Sequence, residues 1–242
     1  MRLMHVDASP RGAQSCSRAL GRFFVDRLRE RVPALTVDYL DLALDTPPHV
    51  SEQFAAATYT APEQRSAEME AALARSDALC RRLLDADALL FAMPMYNWSM
   101  PSVFKAFIDA IVRTGITYVR TEDGRFLGTL GGRKTLFVTT RGVDLRPGSP
   151  FAGMDALTPA LRAAFGFIGV TDPDFVDAQP VQFAQPEERA TALERARHAR
   201  HMLAGQWAGD ARSPRGTAEP ARFLFGTGAS SEFGTIEPAL YA

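Results

Sequence analysis

The sequence predicts an α/β fold with one doubly wound parallel sheet. Three observations lead there. Short apolar runs alternate with segments of helical periodicity along most of the chain. One run, residues 88–93, is apolar throughout, as a strand buried on both faces must be. The chain's 242 residues, 46% of them hydrophobic, suffice for one well-buried domain but not for two.

The elements follow in order. Residues 3–8 read as a first strand, broken by Ser9-Pro10-Arg11-Gly12. Residues 17–31 place Leu20, Phe23, Phe24 and Leu28 at helical spacing, and Pro33 stops that helix. Residues 36–40 alternate like a second strand. Residues 44–64, with Pro47-Pro48 and Pro62, read as a long surface connection. A helix over 66–84, the apolar strand 88–93, a loop over 94–101 and a helix over 102–113 come next. Residues 116–130 resemble a hairpin turning at Glu122-Asp123-Gly124. Residues 135–139 make a fourth core strand, 141–153 a loop and 154–165 a helix. Residues 170–178 hold the fifth core strand, interrupted by Pro173, and 186–207 form a last, charged helix. Five such strands fit the order 2-1-3-4-5, the flavodoxin-like arrangement, with helices on both faces. The domain is expected to span 1–208. Residues 209–242, rich in Gly, Pro, Ser and Ala, are expected to form a weakly ordered tail, with Phe223-Leu224-Phe225 as a segment that docks elsewhere or stays loose.

Composition narrows the function. Net charge is −1 and no basic run exceeds two residues, which argues against nucleic acid as a partner. Two cysteines, Cys16 and Cys80, do not make a disulfide framework and fit a reducing compartment. No signal peptide or membrane span is expected, so a cytoplasmic location is the expectation. No metal site is expected.

In a doubly wound sheet, ligands sit beyond the carboxyl ends of the strands where their order reverses. Three segments follow those strands. The first carries Ser9, Ser15, Cys16 and Ser17 at the start of a helix, where exposed N–H groups and the helix dipole favour an anion. Without a Walker lysine or a G-x-G-x-x-G pattern it suits a monophosphate, such as that of FMN, better than a triphosphate. Ser15 or Ser17 as a simple helix cap is an equal reading, and Cys16 is a filler or a thiol activated by the helix end. The second segment contains Pro94, Met95, Tyr96, Asn97 and Trp98. So apolar a loop needs a flat hydrophobic ligand or a neighbouring chain to cover it. The third holds Thr140, Arg141, Gly142 and Val143. There Gly142 permits close approach, and Arg141 either offers charge to a reduced ring or is solvated.

The stretch Ala92-Met93-Pro94-Met95-Tyr96-Asn97-Trp98, then Pro101 and Phe104-Lys105-Ala106-Phe107-Ile108-Asp109, resembles the FMN-dependent NADH-azoreductase and NAD(P)H-quinone reductase family. Ser9, Ser15 and Ser17, Thr139-Thr140-Arg141-Gly142 and Gly166-Phe167-Ile168-Gly169-Val170 are similar to it as well, so the likeness spans roughly residues 1–205. The resemblance implies a homodimer with one FMN per subunit at the interface. NADH or NADPH would be the electron donor, and quinones and aromatic azo compounds the acceptors, in a ping-pong cycle on flavin N5. It implies that Ser9, Ser15, Cys16 and Ser17 hold the phosphate. Pro94, Met95, Tyr96, Asn97 and Trp98 flank the ring, and Thr140, Arg141, Gly142 and Val143 line its N1 side. Val143 stands where the family usually has a second Gly, and no His occurs between Asp144 and Gly153. Tyr118 and Phe126, on the hairpin, would cover the partner's flavin, and water or Tyr118 would supply the proton. Phe54, Tyr59, Trp98 and Phe167 are candidate walls or core. The alternatives are a flavodoxin-like one-electron carrier, a FAD-type quinone reductase and a non-enzymatic binding module.

Overall fold

The computed structural model describes residues 1–210 and the backbone of 222–223. In chain order the strands and α-helices are β1 (Arg2–Asp7), α1 (Cys16–Arg31), β2 (Thr36–Asp41), α2 (Glu52–Tyr59), α3 (Ala67–Asp85), β3 (Ala88–Pro94), α4 (Ser102–Ile111), β4 (Tyr118–Arg120), β5 (Phe126–Gly128), β6 (Lys134–Thr140), α5 (Leu157–Phe167), β7 (Asp174–Ala178), α6 (Pro186–Asp210) and β8 (Arg222–Phe223).

Strand β3 organises the layers because its side chains alternate between two apolar faces. Leu89, Phe91 and Met93 join Leu79 and Leu83 of α3, Phe104 and Phe107 of α4 and Phe165 of α5. Ala88, Leu90 and Ala92 join Leu20, Phe24 and Leu28 of α1 and Trp207 of α6. Phe91 sits at the centre of the first cluster, its ring 5.2 Å from Phe137 and 4.7 Å from Phe165. The sheet runs β2-β1-β3-β6-β7, every pair parallel. This is the expected 2-1-3-4-5 order, with β6 and β7 as the fourth and fifth core strands.

Several boundaries differ from the sequence reading. The connection over 44–64 contains α2, capped by Ser51, whose side chain accepts the N–H of Phe54. The prolines flank this helix rather than exclude it. Helix α4 ends at Ile111, two residues early, because Thr117 Oγ1 donates to the Ile111 carbonyl and accepts the Arg113 N–H. Helix α5 starts at Leu157 because Asp155 Oδ1 accepts the N–H groups of Leu157 and Thr158. Strand β7 begins only after Pro173, which has no N–H to give a ladder.

The expected hairpin is present as β4 and β5, antiparallel, and the backbone of β8 adds a third strand to it. It docks through glycine. A Cβ on Gly128 would lie 2.1 Å from both Gly169 N and Ile168 C, and Gly169 has φ +107°. Apart from the backbone of β8, the tail reading and the docking of Phe223-Leu224-Phe225 lie outside the described residues. No described helix is long and apolar enough to cross a membrane.

Candidate functional site

The carboxyl ends of β1, β3 and β6 and the turn after β7 surround one cavity of about 540 Å³. The first segment supplies Ser9, Arg11, Ser15 and Cys16 to its wall. Ser15 is the N-cap of α1, its Oγ accepting the Arg18 N–H at 3.3 Å. Capping and cavity lining therefore coincide in one residue. Ser17 is fully buried, off the cavity wall, its Oγ 3.1 Å from Ser15 Oγ. It supports the loop from behind.

A buried ionic cluster fixes this loop. Arg18 donates from Nε (2.9 Å) and Nη2 (2.5 Å) to the Ser9 carbonyl and grips both oxygens of Asp41. Tyr39 donates to Asp7 Oδ2 at 2.8 Å, and His5 Nε2 lies 3.2 Å from Asp7 Oδ1. Burial pushes the Asp41 carboxyl up, but its hydrogen bond from Arg18 and those from the backbone of Ala43 and Leu44 outweigh that, and the net shift is downward. Burial, then the bond to Asp7, raises the Tyr39 phenol.

The second segment lines the cavity through Pro94, Met95, Tyr96 and Asn97. Met95 N–H donates to the Thr140 carbonyl at 2.8 Å, holding the loop to the end of β6. Tyr96 and Ser99 exchange backbone hydrogen bonds of 2.9 and 3.0 Å around a two-residue turn. Asn97 and Trp98 at its tip have φ +47° and +70°. Asn tolerates this left-handed conformation; Trp does so at a strain cost of order 1 kcal/mol or more. Trp98 does not reach the cavity wall. Its ring stacks on Phe151 at 5.9 Å and its carbonyl accepts the Ala156 N–H.

The third segment lines the cavity through Thr140, Arg141 and Gly142. Arg141 is neither solvated nor free to offer charge. Only 3% exposed, it contacts Asp155 (2.7 Å), Thr158 Oγ1 (2.7 Å), Thr139 Oγ1 (3.3 Å) and Asp177 (3.2 Å). Gly142 is required by proximity: a Cβ there would stand 3.0 Å from the Phe183 ring. Val143 lies off the wall.

Five residues of the wall lie outside the sequence expectations: Arg11, Val181, Gln182, Phe183 and Arg189. Arg11 was visible within the serine loop, but its place on the wall was not recognised. Arg189 comes from α6, far along the chain, and its Nη2 lies 3.4 Å from Cys16 Sγ. Only the crossing of α6 over α1 reveals it. Val181, Gln182 and Phe183 complete the wall, pinned as Val181 N–H donates to the Arg141 carbonyl and Phe183 N–H to that of Gly142.

The other aromatic candidates lie off the cavity wall. Phe54 packs under the Arg113 guanidinium at 5.6 Å, and Tyr59 is 82% exposed. Tyr118 packs against Phe167 (4.6 Å) and Phe126 (5.9 Å), and burial raises its phenol. It is not placed to give a proton into its own chain's cavity.

Comparison with known proteins follows the same outline. A family model described as flavodoxin-like fold matches residues 1–202. An FMN-dependent NADH:quinone oxidoreductase of Nostoc sp. is 38% identical over 206 residues, covering 85% of this chain and 99% of that protein. One of the same designation from Ralstonia nicotianae is 39% identical, covering 85% of this chain and 98% of its own length. The crystal structure of an azoreductase from Bacillus anthracis superposes with a TM-score of 0.78 at 25% identity, over 85% of this chain and 99% of that one.

Proposed function

The chain belongs to this flavodoxin-like family of oxidoreductases, and from that premise we propose that it is an FMN-dependent enzyme passing two electrons from NADH, or NADPH, to quinones and aromatic azo compounds. The observation that carries the proposal is that the phosphate-type and ring-type loops face one cavity. Its volume falls in the range of small-molecule sites.

The residues present fit FMN. At one end, the first turn of α1, the Ser9 and Ser15 hydroxyls and the cations Arg11 and Arg189 converge, an arrangement that suits a phosphate. At the other, the chain from Pro94 to Asn97 and the Gly142 backbone form an apolar, hydrogen-bonding slot for a planar ring. When bound, FMN supplies the two-electron relay between nicotinamide and acceptor. The protein's part is to hold and orient. Arg18 fixes Ser9, the Tyr96–Ser99 backbone pairing fixes the loop that would hold the ring edge, and Arg141 ties β6 to α5 and β7 so that the Gly142 backbone does not drift. Donor and acceptor would occupy the open side of the cavity in turn, a ping-pong order whose kinetic mark is a set of parallel double-reciprocal lines. Solvent is the proposed proton source.

The same reading includes a homodimer in a cytoplasmic setting. Tyr96, Phe151 and Phe183 are exposed at or beside the cavity, a patch that a second subunit would cover. Cys16 and Cys80 are free thiols, in keeping with a reducing compartment. Sedimentation velocity tests the dimer: a monomer at micromolar concentration would rule it out. The activity is tested by identifying the released cofactor chromatographically and following NADH oxidation with and without a benzoquinone. The expected result is FMN at one per chain and quinone-dependent turnover. Released FAD, or NADH oxidation too slow for an enzyme, would favour the quinone reductase of the FAD type or the one-electron carrier.

A further inference from the structure

A second cavity, of about 180 Å³, opens between α2, α3 and α4, and none of its wall residues belongs to the cofactor cavity. Pro47, Pro48, Val50, Phe54, Ala72 and Ala110 give it an apolar lining. The charged and hydroxyl groups on its wall already have partners. Arg75 pairs with Asp45, and Asp109 accepts from Lys105 Nζ at 2.6 Å. Ser76 Oγ donates to the Ala110 carbonyl at 2.5 Å and accepts from Arg113 Nη1, while Ser51 Oγ accepts the Phe54 N–H. Arg113 itself stands off the wall, buried, its guanidinium 5.6 Å from the Phe54 ring and 3.0 Å from Asp77. No uncompensated charge faces the space, so an ion seated there would go unpaired. His49 differs from the other polar wall groups. It is exposed, and its imidazole makes no hydrogen bond or ion pair among the described residues.

Size and lining together define a ligand. An apolar cavity of about 150 Å³ accepts a benzene ring, so 180 Å³ suits one ring with one or two small substituents. We propose that this cavity is a second small-molecule site, for a neutral one-ring aromatic bearing a hydroxyl or amino group. The ring would meet Phe54 in the edge or offset contacts that aromatic pairs favour. Its polar substituent would bond to the His49 imidazole, which can donate or accept. A ligand touching Phe54 of α2, Ala72 of α3 and Ala110 of α4 would pin α2 to the two longer helices. Quinols and arylamines, the reduced forms of the acceptors proposed above, are of this class. The site itself stands on the cavity and not on that reading.

The test is fluorine NMR of 4-fluorophenol and 4-fluoroaniline added to the full-length, flavin-loaded protein, with fluorobenzene as the reference that lacks a polar group. Wild type is expected to bind all three saturably, the two polar probes with dissociation constants on the order of 1 mM, and with no change in the flavin absorption band. Ala72→Leu, which fills the cavity from α3, should weaken binding of all three by about tenfold or more while its flavin content stays as in wild type. Ala72→Ser, which adds little volume, should bind as wild type does. His49→Ala should cut the preference for 4-fluorophenol over fluorobenzene by about 3- to 10-fold and leave fluorobenzene binding unchanged. No saturable binding, or binding that Ala72→Leu leaves intact, would overturn the proposal. So would binding that shifts the flavin band, which marks a ring stacked on the cofactor instead. Should Ala72→Leu fail to fold, the His49→Ala comparison decides, and an unchanged preference there would equally overturn the proposal. Protein that takes up no flavin yet binds the probes with the same sensitivity to Ala72→Leu would keep this site and remove only the FMN reading.

Discussion

Arg200 carries its guanidinium fully into the α1–α6 layer, and none of its three nitrogens has a hydrogen-bond partner. Burial, with a smaller push from Arg197, pulls its pKa down to about 9. The unfolded chain keeps the proton well above that, into the ordinary arginine range. The penalty is therefore complete below pH 9 and shrinks as pH rises through the interval between those values. The Phe23 ring, 6.0 Å away at the outer reach of a cation–π contact, offsets only a small part of it. Arg200→Met should raise stability by about 1–3 kcal/mol at neutral pH, measured by urea unfolding; a lower midpoint would contradict this. Asp41 acts in the opposite sense. Its folded pKa is depressed, so its contribution is present above the ordinary value of about 4 and is lost as pH falls through the folded value. Asp41→Asn should flatten the acid side of the stability profile. Ser9 and Ser15 were legible in the sequence because a helix start is a local feature. Arg141 was not, because its partners Asp155, Thr158 and Asp177 come from two other elements and most arginines are exposed.

At the scale of elements, the five core strands were legible because an apolar run such as Leu89-Leu90-Phe91 has few other uses. Helix α2 was not, because its eight residues are too few for periodicity to outweigh the surrounding prolines. Its one local sign was the Ser51 cap. The β4–β5 hairpin was visible from its turn, but not its docking. That depends on Gly128 meeting Gly169 backbone to backbone. Gly128→Ala should separate the hairpin from the α5–β7 connection while the central sheet persists, since a Cβ 2.1 Å from backbone atoms has nowhere to go. Hydrogen exchange is expected to show lost protection at Thr129 and Leu130, whose N–H groups bond to Thr117 and Ile168, with protection in β3 retained. Unchanged exchange in the hairpin would show that the contact yields.

For the whole molecule, the consequence is linkage between ligand and fold. The site draws on β1, β3, β6 and α6 at once, so a ligand seated there stabilises the folded chain and not the unfolded one. At FMN one hundred times its dissociation constant the gain is about 2.7 kcal/mol, which for a domain of this size is a rise in Tm of roughly 5–10 °C. Riboflavin at the same concentration should give less, because it leaves Arg11 and Arg189 without an anion. Whether one bound FMN spans the serine loop and the Tyr-Asn turn and accepts electrons from nicotinamide is decided by the visible spectrum of the purified protein under anaerobic NADH. The expected result is an oxidised flavin spectrum that bleaches with one equivalent of NADH and returns on addition of one equivalent of quinone. A protein that stays colourless after incubation with FMN, or a bound flavin that NADH leaves oxidised, would contradict it.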